Sequence, residues 1–441
     1  MSSEGIRVAI IGGGPAGLGA AIALSALPNV KIDLYEKARE LREVGAGINI
    51  GYNCWKVLEL LGAAEEVRGH LQQDVLHRVV TRFLCLHMVS QKWSIRSSQV
   101  CQASFLSASE VPVETGEENK TTGCFNIKDA EAQGVRLNFE DGTDTIADLV
   151  IGGDGIRSVV RLSLFPEHVT SFTGTTIWRT LVPAKSLSHI PDLVPETSWW
   201  HGPAGHCYFS LVDDPSEFSD SGPDQMLEIS CRYIIDPALD TERRFSWGIP
   251  ATNERVTAHF TQYDPRVRDA LSMVPEGYWK EFSAFSGPRL EKLVGWGKVV
   301  LLGDASHPLS GAFGSGAAFA LEDGWILARA IEYTTTRPRL TDDDVQTIKA
   351  QNIADALEIF NKIRSPYYLR MHKHLDNAQD KVLKARTEAK AQSSDPKNIF
   401  ESVLETRIGL FGSGEEMNWI YRNDIELVWQ DYLRRTTVPN L

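Results

Sequence analysis

The stretch Arg7–Gly17, which reads RVAIIGGGPAG, decides the fold. Its first five residues form an apolar run of buried-strand length, and the small residues from Leu18 to Leu27 that follow the glycines have helical character. A strand that ends in a glycine-rich turn and continues into a helix is typical of a dinucleotide-binding unit. We therefore predict an α/β fold whose N-terminal part binds a dinucleotide.

Each glycine of this turn has a predicted role. Gly12 permits the tight turn, Gly14 lets the backbone approach a pyrophosphate, and Gly17 allows close packing of helix and strand. The next strand, Lys31 to Tyr35, ends at Glu36, where a ribose-binding carboxylate belongs. A glycine-rich turn without a ligand is the alternative. The predicted cofactor contacts in this unit are Gly12, Gly14, Pro15, Ala16, Gly17, Glu36 and Lys37.

In two later segments an apolar run ends in a Gly-Asp pair. They are DLVIGGDGIRSVVR, which contains Asp154, and KVVLLGDASHPLSGAFGSGAAFALED, which contains Asp304. Ahead of Asp154, the runs Val135 to Glu140 and Ile146 to Ile151 predict a hairpin whose last strand continues into Gly152. An aspartate at the carboxyl end of a buried strand points into the crevice where open α/β sheets bind cofactors. A helix-capping Asp in a surface turn is the alternative for Asp154. FAD has enough chemically distinct parts to occupy all three signals, so we predict FAD as the cofactor.

The segment after the second strand resembles a known family. Gly45, Ala46, Gly47 and Ile48, followed by Asn53, match the pattern of single-component FAD-dependent aromatic hydroxylases, the salicylate hydroxylase-like monooxygenases common in fungi. The resemblance implies that the D-G-x-x-S-x-x-R motif lies where flavin and nicotinamide bind, that Asp304 binds the FAD ribityl chain, and that a helix starting near Gly314 points at the flavin. The further cofactor contacts that it implies are Gly47, Ile48, Asp154, Gly155, Arg157, Asp304, Gly314, Gly316 and Ala317.

The chain departs from this family at several positions. Gly311 stands where relatives have Pro, and Ser315 stands where they have Gln. The resemblance also fades over residues 69–134, where Gln occupies the position of an expected Arg ahead of Asp74. Either a divergence of this chain or a lost segment would explain the gap.

After Arg161 the composition changes, and several consecutive segments have the residue pattern of β-strands. This pattern predicts an antiparallel sheet inserted into the cofactor domain. The resemblance implies that Arg179 stabilises a substrate phenolate; a structural ion pair is the alternative. Tyr208 and His206 are candidate proton carriers, and Tyr208 shares a strand face with Ser210. We therefore predict catalytic roles for Arg179, Tyr208 and His206.

The amino-acid composition disfavours several classes of binding partner. The 58 acidic residues outnumber the 45 basic ones, and no basic stripe is present, which disfavours nucleic acid and anionic membranes. No apolar run is long enough for stable membrane insertion, and the six cysteines have no metal-ligand spacing. We expect a cytoplasmic monomer or homodimer without a metal site.

The predicted architecture is α/β (α+β overall), with a Rossmann-like FAD-binding domain, an inserted antiparallel-sheet substrate domain and a helical C-terminal region. The C-terminal region is expected to contain a helix from Val345 to Ile363 that ends before Pro366. The predicted parts are a discontinuous FAD-binding domain at 1–75, 135–165 and 285–340, an irregular segment at 76–134 that belongs partly to the substrate domain, the substrate domain at 166–284, and the C-terminal region at 341–441.

The resemblance implies an activity. NADH or NADPH would reduce FAD, O2 would add to give a flavin C4a-hydroperoxide, and the distal oxygen would pass to a phenolic or aromatic-acid substrate. Two alternatives stay open. One is an FAD-binding protein with little or no monooxygenase turnover; the other is a flavin halogenase, because Trp247–Pro250 matches part of a halogenase signature.

Overall fold

The structure is a computed structural model of the 441-residue chain. It describes residues 5–38, 48–66, 70–73, 75–79, 100–103, 123–193, 197–202, 204–212, 224–239, 247–287, 289–309, 312–337, 344–410 and 417–437.

The described chain alternates strands and helices before it ends in helices. The strands are β1 (Ile6–Ile11), β2 (Val30–Tyr35), β3 (Ile48–Ile50), β4 (His70–Gln73), β5 (Val75–Val79), β6 (Val100–Ala103), β7 (Cys124–Asp129), β8 (Val135–Phe139), β9 (Asp144–Ala147), β10 (Leu149–Gly152), β11 (Ser171–Pro183), β12 (Thr197–Gly202), β13 (Gly205–Leu211), β14 (Met226–Ile234), β15 (Trp247–Pro250), β16 (Lys280–Ser286), β17 (Val294–Gly295) and β18 (Val299–Leu301). The helices are α1 (Pro15–Ser25), α2 (Tyr52–Leu60), α3 (Val159–Leu164), α4 (Asn253–Thr257), α5 (Pro265–Ser272), α6 (Gly316–Thr335), α7 (Val345–Gln392), α8 (Pro396–Leu410), α9 (Asn418–Tyr421) and α10 (Ile425–Thr437).

The first sheet has the strand order β17-β18-β10-β1-β2, and the strands from β18 to β2 are parallel. Alternate residues of β1 enter two different cores. Val8 and Ile10 pack with helices α1, α6 and α7, whereas Ala9 and Ile11 pack with the small antiparallel sheet β7-β8-β9. A parallel sheet covered on both faces explains why these strands read as continuous apolar runs. The predicted fold class is confirmed.

One predicted strand is wrong in this region. The sequence from Ile146 to Ile151 was expected to be the last strand of a single hairpin, but it divides at Asp148 into β9 and β10, which belong to different sheets. The Asp148 carboxylate accepts hydrogen bonds from the Arg7 backbone N–H at 2.9 Å and from Lys349 Nζ at 2.9 Å. These contacts hold the chain at the point where it changes sheets.

The second sheet has the order β15-β16-β11-β14-β13-β12-β5 and is antiparallel except where β5 meets β12. One face packs on helices α4 and α5 through a core that includes Trp178, Trp200 and Phe209. The sheet is anchored to the first domain by Ile156, which packs with Phe172 of β11 and Phe285 of β16. The second sheet therefore starts beside the segment that carries Asp154.

The prediction that a helix ends before Pro366 is also wrong, because α7 continues through this residue to Gln392. Proline removes one helical hydrogen bond. Here the preceding side chains fix the helix in place: Arg364 is buried in a network of ion pairs, and Ser365 Oγ donates to the Glu291 carbonyl oxygen at 2.6 Å. Tertiary contacts outweigh the local preference. No helix in the described ranges is long and apolar enough to cross a membrane.

Candidate active site

Three adjacent parallel strands, β18, β10 and β1, bring the three predicted signals to one edge of the sheet. Ile11 is the register partner of Gly152, and Gly152 is the partner of Leu301, so the glycine-rich segments follow strand ends that lie side by side. The approach is close: a Cβ added to Gly12 would lie 2.4 Å from the Gly153 carbonyl oxygen. One extended ligand can therefore contact all three segments.

In the glycine-rich turn after β1, Gly17 is in close contact with the backbone, whereas Gly14 faces unfilled space. A Cβ on Gly17 would lie 1.9 Å from the Gly12 carbonyl oxygen, whereas a Cβ on Gly14 would meet no described atom within 4 Å. Gly14 immediately precedes α1, which begins at Pro15 and Ala16. The space at Gly14 lies at a helix N-terminus, where free backbone N–H groups favour a phosphate.

Glu36 follows β2 and is partly buried, and its carboxylate is held by backbone N–H groups. Oε2 accepts from Gly13 at 2.7 Å, and Oε1 accepts from Ala38 at 2.8 Å. A carboxylate oxygen can accept more than one hydrogen bond, so this orientation leaves acceptor capacity for ribose hydroxyls. The neighbouring Lys37 is exposed.

Asp154 is positioned by the start of α3. Its Oδ2 accepts from the backbone N–H groups of Val159 at 2.7 Å and Val160 at 3.3 Å, while Oδ1 is buried without a hydrogen-bond partner among the described residues. Burial raises the pKa of this carboxyl. An unpaired buried acceptor is costly unless a ligand supplies the donor. Gly155 has a φ of +74° and Arg157 is exposed.

Arg161 joins the second signal to the third. Its side chain is buried, and it donates to the carbonyl oxygens of Ile156 at 2.6 Å and Ala305 at 2.9 Å. Burial lowers the pKa of this guanidinium, and the nearby carboxylates of Asp154 and Asp304 oppose the shift. The arginine of the D-G-x-x-S-x-x-R motif therefore fixes the distance between the two aspartate segments.

The Asp304 carboxylate makes no hydrogen bond to another described residue. Burial raises its pKa to about 6, and the nearby Arg161 cation opposes this shift. The backbone beside it is held firmly, because the Gly303 N–H donates to Asp323 Oδ2 at 2.9 Å. A partly buried acceptor on a fixed backbone suits the hydroxyl donors of a ribityl chain.

The helix predicted to start near Gly314 begins at Gly316. Gly314 has a φ of +62° in the preceding turn, and both glycines are exposed, while Ala317 is half-buried. A Cβ on Gly316 would meet no described atom within 4 Å. The N-terminus of the 20-residue helix α6 is therefore open to a ligand and provides positive potential for an anionic ring.

His307 lies in the same segment but belongs to the core. It stacks on Tyr368 with ring centroids 3.4 Å apart, and its Nδ1 pairs with Ser306 Oγ. Burial and the neighbouring Arg364 cation lower its pKa well below the ordinary histidine value. His307 is therefore neutral and buried in the core.

The predicted catalytic residues share the face of the second sheet opposite α4 and α5. Arg179 and Tyr208 are both register partners of Ser230, so they lie in one row across three strands, and His206 lies in the next row beside Arg232. Tyr208 is buried and Arg179 is partly buried. The sheet register thus brings the three residues to one face.

Sequence reasoning missed a buried acid on this face. Arg179 Nε donates to Glu228 Oε1 at 2.8 Å, and Nη2 contacts the same oxygen. Glu228 is 1% exposed. The sequence did contain a signal for this acid: Glu228 is a charged residue inside a strand rich in apolar residues. Because a buried carboxylate needs a partner, such a position predicts an ion pair.

Some positions that the sequence singled out cannot be placed. Gly45, Ala46, Gly47, Asp74 and Gly311 lie outside the described residues. Ile48 begins β3, but its side chain is not described. In the described part of the chain, no group of three or more His, Cys, Asp or Glu side chains could hold a metal ion.

The residues present fit FAD, on three observations: the open space at Gly14, the orphaned buried Oδ1 of Asp154, and the Asp304 carboxylate without a hydrogen-bond partner among described residues. Fold and site together define a dinucleotide-binding flavoprotein class. Residues 5–340 match the family described as FAD binding domain, and the chain belongs to this family. The predicted resemblance to FAD-dependent aromatic hydroxylases is confirmed.

Relatives and solved structures agree on this class. The chain is 28% identical over 344 residues to 3-hydroxybenzoate 6-hydroxylase of Klebsiella oxytoca, covering 74% of this chain and 80% of the relative. It is 28% identical over 343 residues to 3-amino-4-hydroxybenzoate 2-monooxygenase PtmB3 of Streptomyces platensis, again covering 74% and 80%. A salicylate hydroxylase substrate complex has the same fold, with a TM-score of 0.66 at 20% identity and full coverage of both chains.

The raised pKa of Asp304 predicts that FAD affinity falls in acid. If Asp304 accepts hydrogen bonds from FAD hydroxyls in its ionised form, bound FAD would lower this pKa from about 6, and a protonated site would have to lose its proton on binding. The FAD dissociation constant should rise about tenfold from about pH 7 to about pH 5. Flavin fluorescence titration at each pH measures this dissociation constant.

Asp154 could contribute to the same trend, so the control is Asp304→Asn, whose side chain cannot ionise. In this variant the FAD dissociation constant should change little between about pH 7 and about pH 5. A loss of FAD affinity in the variant as large as in the unmodified protein would contradict the assignment.

Proposed function

We propose that the protein is an FAD-dependent monooxygenase that uses NADH or NADPH and O2 to hydroxylate a phenolic or aromatic-acid substrate. The observation that carries the proposal is the convergence of the three FAD signals beside a sheet with a polar face. Relatives named as hydroxybenzoate hydroxylases support an aromatic substrate.

In this proposal each segment holds a different part of FAD. Residues 12–17 bind the pyrophosphate at the start of α1, Glu36 binds the adenosine ribose, and Asp304 binds the ribityl chain. When bound at these residues, FAD would supply the redox and oxygen-transfer chemistry, with NAD(P)H and O2 as co-substrates. Residues 1–75, 135–165 and 285–340 form the FAD-binding part, and residues 166–284 form the substrate-binding part.

The chain's own residues orient the substrate and handle protons. Arg179 would donate a hydrogen bond to the substrate oxygen, which favours the electron-rich ring that accepts an electrophilic oxygen atom. Tyr208 lies in the same row across β14, and His206 lies in the next row, so either could carry the phenol proton. Burial of this face would exclude water from the reacting centre.

Anaerobic flavin reduction tests the proposal. The FAD-loaded protein is mixed with NADH or NADPH in the presence of single phenols and aromatic acids, and the loss of oxidised flavin absorbance is followed. We expect at least one aromatic compound to accelerate reduction, with hydroxylated product forming when air is admitted. A yellow protein that never oxidises NAD(P)H with any compound would instead support FAD binding without turnover.

Arg179→Ala is expected to raise the substrate KM by about 10-fold or more, because a charge-assisted hydrogen bond contributes roughly 1.5–3 kcal/mol. Steady-state NAD(P)H oxidation and product yield measure both KM and coupling. Arg255→Ala is the matched control, since Arg255 also pairs with a buried glutamate of this sheet, Glu281, but on the face that α4 and α5 cover. Equal kinetics in Arg179→Ala and the unmodified protein would remove Arg179 from the site.

A further inference from the structure

Glu228 places a second charge beside the proposed substrate-binding arginine. Its side chain is 2% exposed, whereas that of Arg179 is 30% exposed. Arg179 is therefore the member of the pair that a substrate can reach, and Glu228 lies behind it. The acid belongs to the row Leu181, Glu228, Ser210 and Thr197, next to the row that holds Arg179 and Tyr208.

The pair changes what Arg179 offers to a ligand. A guanidinium binds a carboxylate best through two parallel N–H donors. In this structure Nε and Nη2, which form one such edge, both point to Glu228 Oε1. The positive charge is balanced within the pair, and that edge is occupied.

The surroundings of the pair are polar but carry few charges. Thr197 Oγ1 and Ser210 Oγ lie 2.8 Å apart in a buried hydrogen bond beside Glu228. Two further cations lie on this face: Lys280, the register partner of Arg179 on β16, and Arg232, which is beside His206 in the row beyond Ser230. Glu228 therefore supplies the negative charge nearest to Arg179 on the described part of this face.

An aromatic carboxylate and a neutral phenol would meet this pair differently. The carboxylate carries a charge that Arg179 attracts and Glu228 repels, with little screening in a buried site. A phenol hydroxyl needs one donor and brings no charge. We propose that Glu228 is a specificity-determining residue that disfavours aromatic carboxylates and selects neutral phenols; this inference rests on the proposed function.

The test compares ligands that differ by charge and keep their shape. Salicylate and salicylamide form one pair, and 3-hydroxybenzoate and 3-hydroxybenzamide form another. Dissociation constants are measured from the change in flavin absorbance or fluorescence of the FAD-loaded protein at neutral pH, so no turnover is needed. Glu228→Gln removes the charge and keeps the size of the side chain.

We expect Glu228→Gln to tighten binding of the carboxylates by about 10-fold or more relative to their amides, because Arg179 loses its balancing charge. Glu281→Gln, which neutralises the matched glutamate on the helix-covered face, should leave this ratio within about 3-fold of the unmodified protein. An unchanged ratio in Glu228→Gln, or an equal change in both variants, would overturn the inference.

If Glu228→Gln does not load FAD, the double variant Arg179→Gln/Glu228→Gln can be tested in its place. The double variant removes both charges of the pair and so leaves neither of them unpaired. It should retain the carboxylate-to-amide ratio of the unmodified protein, since the site is balanced in both. A selective loss of carboxylate binding in the double variant would show that Arg179 acts as an unbalanced cation and would overturn the inference. Selective binding without any NAD(P)H oxidation would contradict the proposed function alone.

Discussion

Arg364→Met is expected to lower the free energy of unfolding by about 3–5 kcal/mol and to weaken FAD retention. Arg364 lies on α7, is 1% exposed, and pairs with Asp323 at 2.7 Å and Glu322 at 3.0 Å. Its Nη2 also donates to Tyr368 Oη at 2.8 Å. Removing the cation leaves two buried carboxylates without their main partner, which is far more costly than losing an exposed ion pair.

The effect on FAD follows from the second oxygen of Asp323. This oxygen accepts the Gly303 N–H at 2.9 Å and so holds the backbone beside Asp304. Urea unfolding and the flavin-to-protein ratio after gel filtration measure the two effects. Lys362→Met is the control on the same helix. Lys362 is exposed and forms a long ion pair, 3.9 Å, with Glu358, and such an exposed pair contributes roughly 0.5 kcal/mol or less. Equal stability of the two variants would contradict the role of Arg364.

Gly14→Ala is expected to weaken FAD binding by about 10- to 100-fold without changing the stability of the FAD-free protein. Its φ of −78° suits alanine, and the added methyl would meet no described atom within 4 Å. The methyl would instead lie where a pyrophosphate must approach, and such overpacking costs roughly 1–3 kcal/mol.

Gly17→Ala is the contrasting variant, because its methyl would lie 1.9 Å from the Gly12 carbonyl oxygen and should prevent folding. Thermal unfolding of FAD-free protein and fluorescence titration with FAD separate the two cases. If Gly14→Ala binds FAD as tightly as the unmodified protein, the turn does not hold the phosphates.

The cofactor half of the fold could be predicted because its signals are local. A buried parallel strand, a glycine turn and the following helix lie within 20 consecutive residues, so the short segment around Gly12 contains the necessary information. Asp154 and Asp304 could be located in the same way, since each directly follows an apolar run. Their convergence then follows from the rule that parallel strands end at one edge.

The second sheet and the packing of α7 could be predicted only in outline, because their decisive contacts join residues that are distant in sequence. Arg179 and Glu228 are 49 positions apart and meet through the register of β11 and β14. Arg364 and Asp323 are 41 positions apart, and this pair lies where α7 was predicted to end. Local preference at Pro366 indicated a break, but burial of the neighbouring Arg364 and Ser365 kept the helix continuous.

The origin of the oxygen atom in the product distinguishes a monooxygenase from a protein that only binds FAD. The FAD-loaded protein, NAD(P)H and an accepted phenol are incubated under ¹⁸O2, and the product is examined by mass spectrometry. We expect one labelled oxygen atom on the aromatic ring for each product molecule, with NAD(P)H consumed. NAD(P)H oxidation that yields only peroxide with every phenol tried, or a hydroxylated product whose oxygen comes from water, would contradict the proposed monooxygenase function.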